Sequence, residues 1–127
     1  MELLTMDAHN VVNLSDLELE ILNIVWLIGP SSVREVHEVL EKTNNVRYTV
    51  TLRLMQSMHH RELMERDERM KKHIYSTTVS MEAIQDQLVQ RMIKNLFGGS
   101  STQLMKHLLD HHKYNQEELT EISKYFG

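Results

Sequence analysis

From Leu14 onward, apolar side chains recur three and four residues apart: Leu17, Ile21, Leu22, Ile24, Val25 and Ile28. That spacing predicts an amphipathic helix. Leu14-Ser15-Asp16-Leu17-Glu18-Leu19 predicts its start, with Ser15 as cap, Glu18 closing the capping box and Leu14 stapling onto Leu19. Gly29-Pro30 predicts its end. Ser32-Val33-Arg34-Glu35 repeats the capping logic, and Val33, Val36, Val39 and Leu40 then share one face. Thr43-Asn44-Asn45 is a polar break. A third helix is predicted from about Tyr48 to Arg61, with Thr49 as its cap. Its apolar strip is Thr51, Leu54, Met55 and Met58, and its polar strip is Thr49, Arg53, Gln56 and His60.

The rhythm then shortens. Leu63-Met64-Glu65-Arg66-Asp67 and His73-Ile74-Tyr75-Ser76-Thr77-Thr78-Val79 suit strands, joined by the charged turn Glu68-Arg69-Met70-Lys71-Lys72. Without an Asn-Gly type of signal, that turn is expected to be a longer loop. Three helices followed by a charged hairpin describe a winged helix-turn-helix, so the predicted fold class is mainly α with a β-hairpin wing. Beyond Ser80 a helical stripe returns as Ile84, Leu88, Met92 and Leu96, with Val89 and Ile93 beside it. Gly98-Gly99-Ser100-Ser101 breaks it. Leu104, Met105, Leu108 and Leu109 mark another helix, and Asn115 caps a last one carrying Leu119, Ile122 and Phe126. So small a tail cannot bury all these stripes alone, and a second copy across a two-fold axis is the simplest cover. The expected dimer residues are Ile84, Leu88, Met92, Leu96, Leu104, Leu108, Leu119 and Ile122. The expected organisation is a flexible arm over 1–13, a winged helix over 14–79 and a helical dimerisation region over 80–127.

Composition changes this picture little. The chain has 127 residues, 41% apolar and 25% charged, the balance of a globular protein. Its 0 cysteines exclude disulfides, thiolate metal sites and a cysteine nucleophile. The longest apolar run, Ile24 to Ile28, is too short to span a bilayer, and the N-terminus lacks a signal-peptide pattern. A cytoplasmic protein with no membrane insertion is expected. Charge changes the picture more. The formal net charge is −4, yet residues 1–41 carry one basic residue against eight acidic ones, while residues 42–80 carry eight basic against four acidic. A partner responds to local potential, screened beyond about 8–10 Å at physiological salt, so the basic middle outweighs the acidic total.

The stretch from Thr43 to Arg61 contains no acid. Arg47, Tyr48, Thr49, Val50, Arg53 and Gln56 offer what a major groove demands: arginine for guanine, glutamine for adenine, and methyl groups for thymine. A solvated face on an ordinary helix would show similar residues. The two short helices before this stretch and the basic hairpin after it favour double-stranded DNA. In the hairpin, Arg66, Arg69, Lys71 and Lys72 are expected to hold phosphates, with Glu65, Asp67 and Glu68 facing away. Ser32 and Arg34, opening the second helix, are expected to touch phosphate as well. The rival is a winged helix that docks protein and no DNA, a use to which the acidic first helices lend some weight. His107, His111 and His112 include the i, i+4 spacing that can bind zinc, but no cysteine supports it and surface histidines are the simpler reading. No glycine-rich phosphate loop and no His-Glu-x-x-His pair occurs, so neither catalysis nor a cofactor is expected.

The order of these motifs resembles the penicillinase-repressor family over residues 14–126. Leu14-Ser15 with Glu20-Ile21-Leu22, Val25-Trp26 and Gly29-Pro30 resembles its first helix, and Ser32-Val33-Arg34-Glu35-Val36 its second. Tyr48-Thr49-Val50-Thr51 with Leu54-Met55 and Met58, then Leu63-Met64 and Arg66, resembles the recognition helix and first wing strand. His73-Ile74-Tyr75-Ser76 resembles the returning strand. Leu96-Phe97-Gly98-Gly99-Ser100, Leu104 and Glu117-Glu118-Leu119 resemble the tail. The resemblance implies a homodimeric transcriptional repressor on a palindromic operator, often of antibiotic- or metal-resistance genes, released in some members by a sensor-protease. The copper-responsive members use C-terminal cysteines that this chain lacks. Three positions depart from the family pattern. Thr49-Val50-Thr51 stands for the usual Thr-Thr-Val, Leu52 for a common lysine whose contact Arg53 would take over, and Glu62 for the glycine that commonly ends the helix.

Overall fold

Helix α1 (Asp16–Ile28) opens the described part of the computed structural model, which comprises residues 14–126; the expected arm over 1–13 lies outside it. Ser15 and Glu18 form the predicted reciprocal cap. The Glu18 N–H donates to Ser15 Oγ at 3.2 Å, and the Ser15 N–H donates to Glu18 Oε1 at 2.9 Å. Gly29, at φ 88°, takes the left-handed turn that ends the helix, and glycine alone adopts it without cost. Helix α2 (Val33–Leu40) is capped in the same way by Ser32 and Glu35. Helix α3 (Tyr48–His60) starts where predicted, but its cap residue is Arg47, which contributes no side-chain hydrogen bond. Thr49 therefore lies inside the first turn and caps nothing.

Strand β1 (Met64–Asp67) pairs antiparallel with β2 (Ile74–Thr77), in the register Met64 with Thr77 and Arg66 with Tyr75. Both strands are shorter than the sequence suggests, and the loop between them is long, as predicted. Ser31, in the α1–α2 turn, pairs with Tyr75 on the other side of β2. The Ser31 N–H donates to the Tyr75 carbonyl at 2.9 Å, and the Tyr75 N–H donates back at 2.7 Å. Helix α4 (Met81–Leu96) follows, its Ala83 N–H bonded to Ser80 Oγ at 3.0 Å. Gly98 and Gly99 break the chain at φ 59° and 83°. Helices α5 (Ser101–His111) and α6 (Gln116–Ser123) start at Ser100 and Asn115, and Glu118 completes a capping box with Asn115.

The chain divides into two compact units, one through Leu88 and one from Val89 onward, so the division falls within α4. In the first unit Ile21, Leu22, Val25, Val36, Leu40, Met55, Met58, Leu63 and Tyr75 form one core. Trp26 lies against it and donates its indole N–H to the Val79 carbonyl at 3.1 Å. Ile84 is also in this core, 3% exposed, and Leu88 packs half-buried beside it. This corrects the expected dimer stripe, because Ile84 spends its apolar surface within its own winged helix. The second unit differs. Neither α5 nor α6 buries a single residue, and Val89, Met92, Leu96, Met105, Leu108, Leu109 and Leu119 are all exposed.

Candidate nucleic-acid interface

Helix α3 turns one strip inward and one outward. Thr51, Met55 and Met58 are fully buried, which fixes the helix by its apolar side. Arg47, Thr49, Arg53 and Gln56 are exposed on the other side, with Tyr48 and Val50 half-buried at the N-terminal end. The side chains of Arg47 and Arg53 have no ion pair among the described residues. They are therefore available to an outside partner without breaking an internal bond. Arg34, from α2, lays its guanidinium 4.3 Å above the Tyr48 ring, a cation–π contact that joins two of the expected contact residues.

The wing is less open than its composition implies. Asp67 and Glu68 do not face away but fold onto the arginines. Arg69 bonds Asp67 through Nη2 at 2.7 Å and through its backbone N–H at 3.1 Å. These bonds hold the Asp67 carboxyl down at about 2, chiefly through the Arg69 side chain and then its N–H. Arg66 reaches the Tyr75 hydroxyl at 3.4 Å and donates to Glu68 at 3.0 Å, and these two bonds, Tyr75 first, raise its pKa. Lys72 lies 3.8 Å from Glu35, a loose pair. The Ser32 N–H, then its hydroxyl, and more weakly Lys72 keep the Glu35 carboxyl below the usual carboxylate range. Of the four wing cations, only Lys71 has no ion pair among the described residues. The charge pattern showed the cations; it could not show that acids two residues away would claim two of them.

Ser32 also differs from expectation. It is 4% exposed, its hydroxyl accepts from the Glu35 N–H, and its own N–H is taken by the Glu35 carboxylate. The cap occupies its N–H and the acceptor side of its hydroxyl, while the residue still lines the cleft between α2, α3 and the wing. Arg34 stays exposed. Arg34, Tyr48, Gln56, Lys71, Lys72 and His73 line the same cleft, of about 440 Å³. Its basic lining suits a phosphodiester backbone.

Two polar contacts escaped the sequence reading. Glu18, 6% exposed in α1, is bonded by Arg61 just beyond α3. His37, 5% exposed in α2, places Nδ1 2.8 Å from Thr51 Oγ1 in α3. Both pairs join distant parts of the chain, and no local pattern announces them. In the second unit His107 and His111 stack with ring centroids 4.3 Å apart, and His111 Nδ1 bonds the His107 carbonyl at 3.0 Å. Among the described residues no three histidines or acids are grouped to hold a metal ion.

Three helices, a hairpin wing and an exposed basic third helix define a winged helix-turn-helix. Solved structures agree on the fold. A MarR-like transcriptional regulator from Thermotoga maritima superposes with a TM-score of 0.51, at 18% identity, over 93% of this chain and 75% of its own. The penicillinase repressor family matches residues 14–126, and the chain belongs to that family. A penicillinase repressor of Staphylococcus aureus is 21% identical over 115 residues, 91% of each chain. The chain is thus a transcriptional repressor by family, and family and fold are those of regulators, which are not enzymes. Among the described residues no helix is long and apolar enough to cross a membrane.

Proposed function

We propose that the protein is a homodimeric, cytoplasmic repressor that binds a palindromic operator and controls a resistance gene. The observation that carries the DNA reading is the acid-free outer face of α3, where Arg47, Arg53 and Gln56 stand exposed above a buried apolar strip. Arg47, Tyr48, Thr49, Val50, Arg53 and Gln56 enter the major groove, and Lys71, Lys72 and Arg34 hold the backbone. Arg66 and Arg69 join them once phosphate displaces their carboxylate partners. Residues 14–79 are the reading module and residues 80–127 the tail.

The second unit supports the dimer. It exposes Leu96 at 74% and Leu109 at 51%, while Ile93 is the buried apolar residue of its own part of α4. So few residues with so little core need a partner to stand, and a second copy supplies a complementary apolar face. Met92, Leu96, Leu104, Leu108, Leu119 and Ile122 remain the proposed contacts, with Leu88 at the margin. The family likeness and the Staphylococcus aureus relative, a penicillinase repressor by name, support a resistance gene as target; a sensor-protease is the releasing partner proposed with it.

The test is a salt titration of binding to random duplex and to duplexes selected from a randomised pool. A repressor making several phosphate contacts loses affinity steeply with salt and prefers selected duplexes by roughly 10³-fold or more. A protein-docking winged helix would show neither, and that result would end the DNA reading.

A further inference from the structure

Helix α3 differs from the other described helices at its N-terminus. Ser15, Ser32, Ser80, Ser100 and Asn115 each give a side-chain bond to the helix they open. Arg47 gives none to α3. The end of the helix that would meet bases is therefore not fixed by its own sequence. It is fixed from α2. His37 bonds the buried Thr51 hydroxyl in the first turn of α3 at 2.8 Å, and its ring meets the Tyr48 ring edge-on at 5.6 Å. His37 Nε2 lies 3.2 Å from the Glu41 carboxylate, one turn along α2. A carboxylate only accepts, so in the neutral ring Nε2–H donates to Glu41 and Nδ1 accepts from the Thr51 hydroxyl. One imidazole thus ties the end of α2 to the first turn of α3. Tyr48, which it also touches, carries Arg34 on its ring.

We propose that His37 is a positioning residue for sequence discrimination, and that its bond to Thr51 holds the first turn of α3 where Arg53 and Gln56 can meet bases. The inference rests on the DNA reading above. Apolar packing holds the buried side of α3, and a buried hydrogen bond to the Thr51 hydroxyl adds a directional restraint on the rotation of its first turn. A misplaced arginine loses a bidentate base contact but still finds phosphate. Discrimination should therefore fall while general affinity persists.

Two conservative variants separate the two ends of the imidazole. His37→Asn places an amide near the position of Nδ1 and can still accept from Thr51. His37→Gln places it near Nε2 and keeps only Glu41. Thr51→Val removes the hydroxyl and changes little else. Wild-type and variant proteins are compared on the duplex that the wild type selects from a randomised pool and on random duplex, with thermal midpoints alongside. His37→Asn should keep the selected-over-random ratio within about threefold. His37→Gln and Thr51→Val should each lose about tenfold in that ratio, the worth of one good base contact, with random-duplex affinity and salt slope unchanged. Should His37→Gln fail to fold, Thr51→Val decides. Equal ratios for the Asn and Gln variants, or full discrimination in Thr51→Val, overturn the positioning role. A wild type that binds no duplex overturns the DNA reading, and this inference with it.

Discussion

Replacing Glu62 by glycine should stabilise the protein. Glu62 follows α3 at φ 64°, the one described residue other than glycine with positive φ. The surrounding bonds explain how it is kept there. The Leu63 N–H donates to the Met58 carbonyl at 2.9 Å and the Glu62 N–H to the His59 carbonyl at 3.0 Å, which is the Schellman pattern that normally places glycine at this position. The Thr78 hydroxyl then donates to the Glu62 carbonyl at 2.6 Å, tying the turn to the end of the wing. A left-handed residue with a Cβ costs about 1–2 kcal/mol, and glycine gives back about 0.5–1 kcal/mol through the entropy of the unfolded chain. The net gain expected for Glu62→Gly is roughly 0.5–1 kcal/mol, which raises the thermal midpoint by a few degrees. A negative charge at a helix C-terminus is itself unfavourable, by about 0.3–1 kcal/mol when exposed, so Glu62→Gln is the needed control. Urea denaturation of both variants with unchanged m reads the difference directly. If Glu62→Gln gains as much as Glu62→Gly, charge accounts for the effect and the backbone carries no strain at this turn.

Three further outcomes follow from the interface and the tail. Arg53→Ala should cost about 1–3 kcal/mol on a selected duplex and relax preference at one base, whereas Lys71→Ala should weaken all duplexes alike and flatten the salt slope by about one unit. Identical behaviour of the two, measured by fluorescence anisotropy across duplexes, would refute the division between base and phosphate contacts. Asp67→Asn should release Arg69 and strengthen binding to random duplex. Because the Asp67 carboxyl is held down at about 2, its ion pair with Arg69 is present above the ordinary carboxylate range and lost only as pH falls through that value; the gain in the variant should therefore be flat between pH 5 and 8 (roughly one unit of salt slope) and detectable by the same titration. Leu96→Lys, at a site 74% exposed in the protomer, should leave the winged helix folded but yield monomers in sedimentation, with a large loss of affinity for paired half-sites.

The order of elements was legible because its signals are local. Ser15 with Glu18, Ser32 with Glu35 and Asn115 with Glu118 each lie three residues apart, and each forms the cap its spacing predicts. The recognition helix was legible as an alternation of buried and exposed sides. What stayed hidden is non-local or shared. Ile84 and Met92 occupy one helical stripe, yet one is buried in the winged helix and the other is 42% exposed, and periodicity cannot say which neighbour a stripe will meet. Glu18 and Arg61 are 43 residues apart, and His37 and Thr51 are 14 apart. Their pairing is a property of the packed helices. The wing acids were visible, but their choice between solvent and arginine is made by the hairpin's geometry.

The two hydrogen bonds between Ser31 and Tyr75 bear on how the molecule behaves when crowded. They occupy the side of β2 that would otherwise invite a strand from another molecule. That leaves the outer margin of β1, only four residues long, and Glu65, Arg66 and Asp67 make up most of it. A sheet with one side closed by a turn and the other short and ionic is a poor template for ribbon growth, so copies of this protein can gather at high local concentration without zipping together through their wings.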